Sequence, residues 1–363
     1  EGDRELNRHI RRAVANFNNV QGAGALSEEQ KTEARLAILF HDIGKSVEAA
    51  AALFPGIARK DLLALPHEER SEAVARRILN RHPGWLSADF DAIIVSPCDA
   101  EGIAPTLRQF KEKGVKVLTF DADTVSDARE FYVNQATAMD IGVALVDVIA
   151  NGLKEYGFGP DQSARMALIS GSGLDVNQNE WILAIEAYLK ETYPWITVNC
   201  DEVGYLGPDI WTPGSDETAA QNAANESIAK SGGATDGSQI NAIIGTSSMS
   251  TPALAAAWNA VVGEKPQVVI TGLATPMGLV DYILDEANPM KYGVLWDVND
   301  LGYLSVEAAV ALLDGKIEAK EGAVFQSKLG DKQFVLNKDD GGLELLMGKA
   351  LTFGPDNVEN YNY

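Results

Sequence analysis

Three short apolar runs in this chain each end in a cluster of small polar or acidic residues. Asp91–Ser96 (DAIIVS) leads into Pro97, Cys98, Asp99 and Ala100. Val115–Phe120 (VKVLTF) leads into Asp121, Ala122, Asp123 and Thr124, and Ala242–Ile244 leads into Gly245, Thr246, Ser247 and Ser248. A continuous apolar run bounded by turn residues is the pattern of a strand buried on both faces, as in a parallel sheet covered by helices. In open parallel sheets, ligands bind outside the carboxyl ends of the strands. The polar clusters therefore fall where a ligand would lie. They consist of hydrogen-bonding residues rather than nucleophile and base sets, which suits holding a polyhydroxy molecule better than breaking one.

Between these runs the pattern alternates. Helices are expected over Glu101–Lys113, Asn134–Leu153, Asn177–Tyr193 and Asp216–Ser231, from apolar residues at three- and four-residue spacing. Further strands are expected at Ala164–Ser170, Trp195–Cys200, Gln267–Thr271 and Gly293–Val298. Such alternation is the signature of an α/β fold with parallel sheets. At 363 residues the chain is long enough for two cores, so it reads as two doubly wound lobes. Val324–Lys328 and Gln333–Asn337 are short strand-like runs, and Leu206–Ser215 (LGPDIWTPGS) reads as a surface loop or as a rim loop carrying Trp211 to the ligand mouth.

The formal net charge is −22. Nucleic acid and anionic membrane surfaces are poor partners for such a chain, because both need a basic face. No apolar stretch approaches the roughly 18 residues of a membrane span. The two cysteines, Cys98 and Cys200, form no CxxC motif; they read as separate buried thiols, with a disulfide between them as the alternative.

From Asp89 onward the chain resembles the type I periplasmic sugar-binding proteins of ABC importers, in particular the autoinducer-2- and rhamnose-binding subgroup. The stretches that carry the resemblance are DAIIVS (91–96), GVKVLTFDADT (114–124), FYVNQAT (131–137), NQNEWILAI (177–185), NAIIG (241–245), GLATP (272–276), YGVLWDV (292–298) and FGPDNVENYNY (353–363). The resemblance implies two doubly wound parallel-sheet lobes joined by a three-stranded hinge. It places the crossings near Asn134–Ala138, Gly272–Thr275 and Trp296–Asn299, and the ligand clamped between the lobes. Lobe 1 would then comprise 34–136 plus 273–297, and lobe 2 137–272 plus 298–363, after a helical segment 1–33. The resemblance further implies a protein with no catalytic activity and no cofactor. It would act in the periplasm or at the outer face of the cell membrane, pass its sugar to an importer permease, and work as a monomer.

Carried over by position, Asp121 matches an acidic ligand contact, and Asn177 and Gln178 match a pair that is Asp-Gln in the autoinducer-2 proteins. Thr246 and Ser248 fall where those proteins have Pro and Ala, and Asp297 is a further contact. A carboxylate accepts from two adjacent sugar hydroxyls, and amides both donate and accept. Each residue also has a plainer role open to it. Asp121 could cap its turn, Asn177 its helix, and Thr246 and Ser248 the helix after them, while Asp297 could steady a hinge strand and Trp181 could be core. Gln178 has no evident capping role.

The N-terminal segment differs in character. His41-Asp42-Ile43-Gly44-Lys45 after an apolar helical run, with His67 later, resembles fragments of the HD metal-dependent phosphohydrolases, in which histidines and aspartates hold a water-activating cation. The chain has four histidines in all, few for such a site. If the segment instead completes the first lobe, Arg35–Phe40 supplies the first strand and Leu62–Leu65 the second, and Lys45 becomes the lysine ligand contact of the family. A sugar-responsive transcriptional regulator of the same fold is a third reading, for which no clean helix-turn-helix is present.

Overall fold

Apolar β-branched runs set the strands, and polar caps set where the helices start. The computed structural model describes residues 91–97, 100–171, 173, 175–214, 216–337, 340–361 and 363. Lys45, the HDIGK motif, His67, the strands expected at Arg35–Phe40 and Leu62–Leu65, the segment 1–33, and Cys98 lie outside the described residues.

The described residues start with β1 (Ala92–Val95), α1 (Ala100–Glu112), β2 (Lys116–Phe120), β3 (Phe131–Asn134) and α2 (Ala138–Glu155). Then follow β4 (Ala164–Ile169), α3 (Val176–Thr192), β5 (Ile196–Thr197), β6 (Ile210–Trp211), α4 (Glu217–Ala229), β7 (Ala242–Gly245) and α5 (Ser250–Ala260). The last part holds β8 (Val269–Gly272), α6 (Pro276–Leu284), β9 (Gly293–Leu295), α7 (Val298–Leu313), β10 (Val324–Ser327), β11 (Gly330–Leu336), β12 (Leu343–Leu346) and β13 (Leu351–Phe353). The α/β alternation is the one expected. Phe131–Asn134 is a strand not expected from the sequence pattern, and the helix expected from Asn134 begins at Ala138 instead. The break is made by Thr137, whose side chain accepts from Asp140 N at 3.0 Å and starts α2.

Two compact units divide the described chain. The first takes residues up to Gln135 and Asp297–Gly348, the second Ala136–Trp296 and Lys349–Tyr363. In the first, the strand order is β1-β2-β3-β12-β11-β10. Pairs β1–β2, β2–β3 and β3–β12 are parallel, while β12–β11 and β11–β10 are antiparallel. The second unit has an all-parallel sheet, β5-β4-β7-β8 with β6 also on β4, and an antiparallel pair β9–β13. Every residue of β7 and β8 is buried, as for parallel strands covered on both faces.

The division corrects the expected boundaries. The segment 273–296 belongs to the second unit, because Leu273 N donates to Gly245 O at 2.8 Å and the chain runs on beside β7 and β8. The segment 298–348 belongs to the first, because β12 pairs with β3 and α7 packs on β1 and β2. The chain passes between units at 135/136, 296/297 and 348/349, so the crossing expected at Gly272–Thr275 falls at Gly348 instead.

Candidate ligand-binding site

Parallel strands deliver their last residues to one end of each sheet, and the candidate residues sit at those ends. Asp121, just past β2, has φ +61°, the one positive φ outside glycine among the described residues. Ala122 N donates to Phe120 O at 2.7 Å across it, closing a γ-turn centred on Asp121. A left-handed non-glycine residue costs about 1–2 kcal/mol, so the surrounding structure must hold it. Tyr132 OH donates to Asp121 O at 2.6 Å, and Ser96 Oγ, just past β1, lies 3.4 Å from Asp121 Oδ2.

The second acid of that turn has a different task. Asp123 forms an ion pair with Arg129, whose Nε donates to Oδ1 at 2.5 Å and whose Nη2 reaches Oδ2. Arg129 is buried and also donates to Leu343 O at 2.9 Å, tying the β2–β3 connection to β12. Two amides close around buried Glu344: Asn134 Nδ2 at 2.9 Å and Asn337 Nδ2 at 2.7 Å.

Asp297 is the N-cap of α7; its Oδ1 accepts from Asn299 N at 2.9 Å and Asp300 N at 3.0 Å. Asp297 thus caps a helix, a role not expected for it from the sequence. One turn in, Asp300 has its carboxyl raised above the ordinary range, by burial first and by the Asp297 charge second, against a smaller pull from Lys332.

In the second unit the cap of α3 is Asp175, not Asn177. Asp175 Oδ1 accepts from Gln178 N at 3.3 Å and Oδ2 from Gln178 Nε2 at 2.6 Å. Gln178 therefore does have a part in the cap, as the third helical residue bonded back to it. An Asp-x-x-Gln ahead of an apolar run is a legible capping signal, and Asp175 could have been found by it. Gln178 Oε1 accepts from Ser170 Oγ at 3.2 Å, from Gly171 N at 2.7 Å and from Thr246 Oγ1. Gln178 and Thr246 are thus brought together and both are buried. Ser248 is exposed in the turn before α5, where Ser247 Oγ accepts from Ser250 N at 3.1 Å. Asn177 is half-buried on the first turn of α3.

Trp181 has the core role open to it. Trp181 and Trp296 are both buried and lie 5.9 Å apart, ring centre to ring centre. The Leu206–Ser215 loop contributes β6, and the Trp211 indole donates to Glu226 Oε2 at 3.2 Å with Lys230 over its ring. An open groove of about 730 Å³ lined by Gln239, Gln267, Ala257 and Lys265 lies at the amino ends of β7 and β8, away from the candidate residues. Cys200 is a free thiol beside Glu186, pushed up to about 11 by burial first and by the carboxylate second. Among the described residues no group of acids, histidines and cysteines has the arrangement of a metal site, and no helix is long and apolar enough to cross a membrane.

Residues 45–317 match the model of the periplasmic binding protein domain. The chain belongs to that family. Solved structures of similar fold include the following three proteins. An ABC transporter solute binding protein from Clostridium phytofermentas with bound L-rhamnose is 24% identical, covering 79% of this chain and 84% of its own, at a TM-score of 0.64. LsrB from Clostridium saccharobutylicum in complex with AI-2 is 23% identical over 80% and 87%, at 0.65. A solute binding protein from Burkholderia graminis in complex with D-arabinose is 17% identical over 89% and 94%, at 0.59. Open parallel α/β sheets bind ligands outside the carboxyl ends of their strands, and the family match begins at Lys45.

Proposed function

We propose that this chain is an extracytoplasmic solute-binding protein that captures a monosaccharide or sugar-like molecule for an ABC importer. It acts by binding and release, without chemistry on the ligand, and hands the ligand to a permease. The observation that carries the reading is Asp121, a carboxylate kept in a strained γ-turn at a strand end beside the Ser96 hydroxyl. Backbone strain persists where function repays it, and a carboxylate so placed accepts from neighbouring sugar hydroxyls. Asn177 on α3 and Ser248 before α5 are the second unit's contacts in this reading, and Lys45 and Asp297 complete the set. The similar folds with bound rhamnose, AI-2 and arabinose support a sugar-sized ligand.

A thermal-shift screen with L-rhamnose, D-arabinose, D-glucose and AI-2, followed by calorimetric titration, tests this. A ligand at about 100 times its Kd should add about 2.7 kcal/mol of stability. Asp121→Ala should abolish the shift while the protein stays folded. No shift and no heat with any sugar would sink the proposal, and an unchanged affinity in Asp121→Ala would remove Asp121 from the site.

A further inference from the structure

We propose that Gln178 is a positioning residue rather than a ligand contact, and that the Asp175–Gln178 pair presets the β4–α3 loop on which the second unit's share of ligand recognition depends. The inference deepens the solute-binding reading and rests on it.

A glutamine amide has one acceptor oxygen and two N–H donors. Here Oε1 accepts from Ser170 Oγ and Gly171 N and also faces Thr246 Oγ1, whose single hydrogen is shared between it and Ile169 O at 3.2 Å. Nε2 donates to the Asp175 carboxylate at 2.6 Å, a charge-assisted bond. The side chain is only 9% exposed. One amide thus joins the end of β4, the end of β7 and the cap of α3. Its approach to the end of β4 is close: a Cβ at Gly171 would stand 2.7 Å from Gln178 Nε2, so a larger residue there would have to displace the amide. Gly171 O in turn accepts from Gly214 N at 2.5 Å, so the same loop is fastened to the segment after β6. The acceptor is fully engaged inside the protein, and a sugar could reach this amide only through its second N–H.

That difference gives the test. Gln178→Glu faces one carboxylate with another where an amide met a carboxylate, so the loop should loosen and sugar affinity should fall by about tenfold, the loss of about one charge-assisted hydrogen bond. Combining it with Asp175→Asn reverses the polarity of the bond: the amide introduced at 175 donates to the carboxylate introduced at 178. The other oxygen at 178 still accepts from Gly171, Ser170 and Thr246, and Asn caps helices as well as Asp. The double variant should therefore regain wild-type melting temperature, slow exchange of the Gly171 amide, and affinity close to wild type for whichever of L-rhamnose, D-arabinose, D-glucose and AI-2 the wild type binds. A double variant that regains stability and slow exchange but binds as weakly as Gln178→Glu would overturn the proposal, since only a contact through the lost N–H explains it. A double variant that stays unstable overturns it too. Wild-type protein that binds none of L-rhamnose, D-arabinose, D-glucose and AI-2 overturns the solute-binding reading instead, and exchange at Gly171 in the unliganded variants still decides whether the pair holds the loop.

Discussion

Single residues in this protein carry strain or buried charge that substitution can release. Asp121 is the clearest. Its left-handed backbone is what glycine adopts freely, so Asp121→Gly should raise unfolding stability by about 1 kcal/mol while removing the carboxylate and, with it, sugar binding. Asp121→Asn should leave stability near wild type, because asparagine tolerates the same region, and still lose affinity. Thermal unfolding with and without sugar reads both effects; a Gly variant no more stable than wild type would show that the turn is unstrained. Cys200 offers a chemical check at the same scale. With its thiol raised to about 11 by burial and by Glu186, it should resist alkylation at neutral pH and react faster as pH climbs. Glu186→Gln should bring that rise to lower pH, measured by mass mapping of the peptide that contains Cys200. The role of Asp121 as a strand-end acid is legible from VKVLTFDADT alone. The γ-turn is not, since nothing in the local residues demands a positive φ; contacts from Tyr132 and Ser96 impose it.

Helix starts show how capping chemistry and electrostatics compete within one element. Asp297 caps α7 with two backbone donors, so Asp297→Ala should cost about 1 kcal/mol. Asp300, one turn in, would gain from the helix dipole if exposed, but burial and the Asp297 charge outweigh that and raise its pKa. Its unfolded counterpart then gives up its proton at lower pH than the folded one. As pH rises through the carboxylate range, from about 4, the unfolded state is favoured and stability falls, with no further change once both forms are ionised. Asp300→Asn should match wild type at acid pH and exceed it at neutral pH, in melting temperatures taken across that range; a deficit at neutral pH would show that the charge is stabilising. The caps also mark the limit of the sequence reading. The boundaries of α3 and α4 are legible to within a residue or two, because Asp216 and the amphipathic runs behind them are local signals. The knot of Gln178, Thr246 and Ser170 joins residues 8 and 68 positions apart, and spacing that long leaves no pattern to read.

At the scale of the molecule, alternating strands and helices make the α/β class legible, and the matched stretches make the family so. The allotment of segments to units is not legible in the same way. It depends on which sheet edge each late segment joins, and β12 beside β3 or β13 beside β9 is settled by pairing partners more than two hundred and about sixty residues away respectively. That topology has a consequence for folding. The second unit is built from 136–296 and from the last stretch, 349–363. Phe353 and Val358 of that stretch are buried, and a Cβ added at Gly293 would come within 2.5 Å of the Phe353 ring. Phe353→Ala should therefore cost about 3–5 kcal/mol. A fragment limited to 136–296 should lack cooperative unfolding, because β9 loses its partner strand and α6 loses the packing of the final turn. Adding a synthetic peptide of residues 349–363 should restore a cooperative transition whose midpoint rises with peptide concentration, as linkage requires when a ligand binds only the folded form. A fragment that unfolds cooperatively alone, with no response to the peptide, would mean that the parallel sheet of β5, β4, β7 and β8 is sufficient and that the last stretch only decorates it.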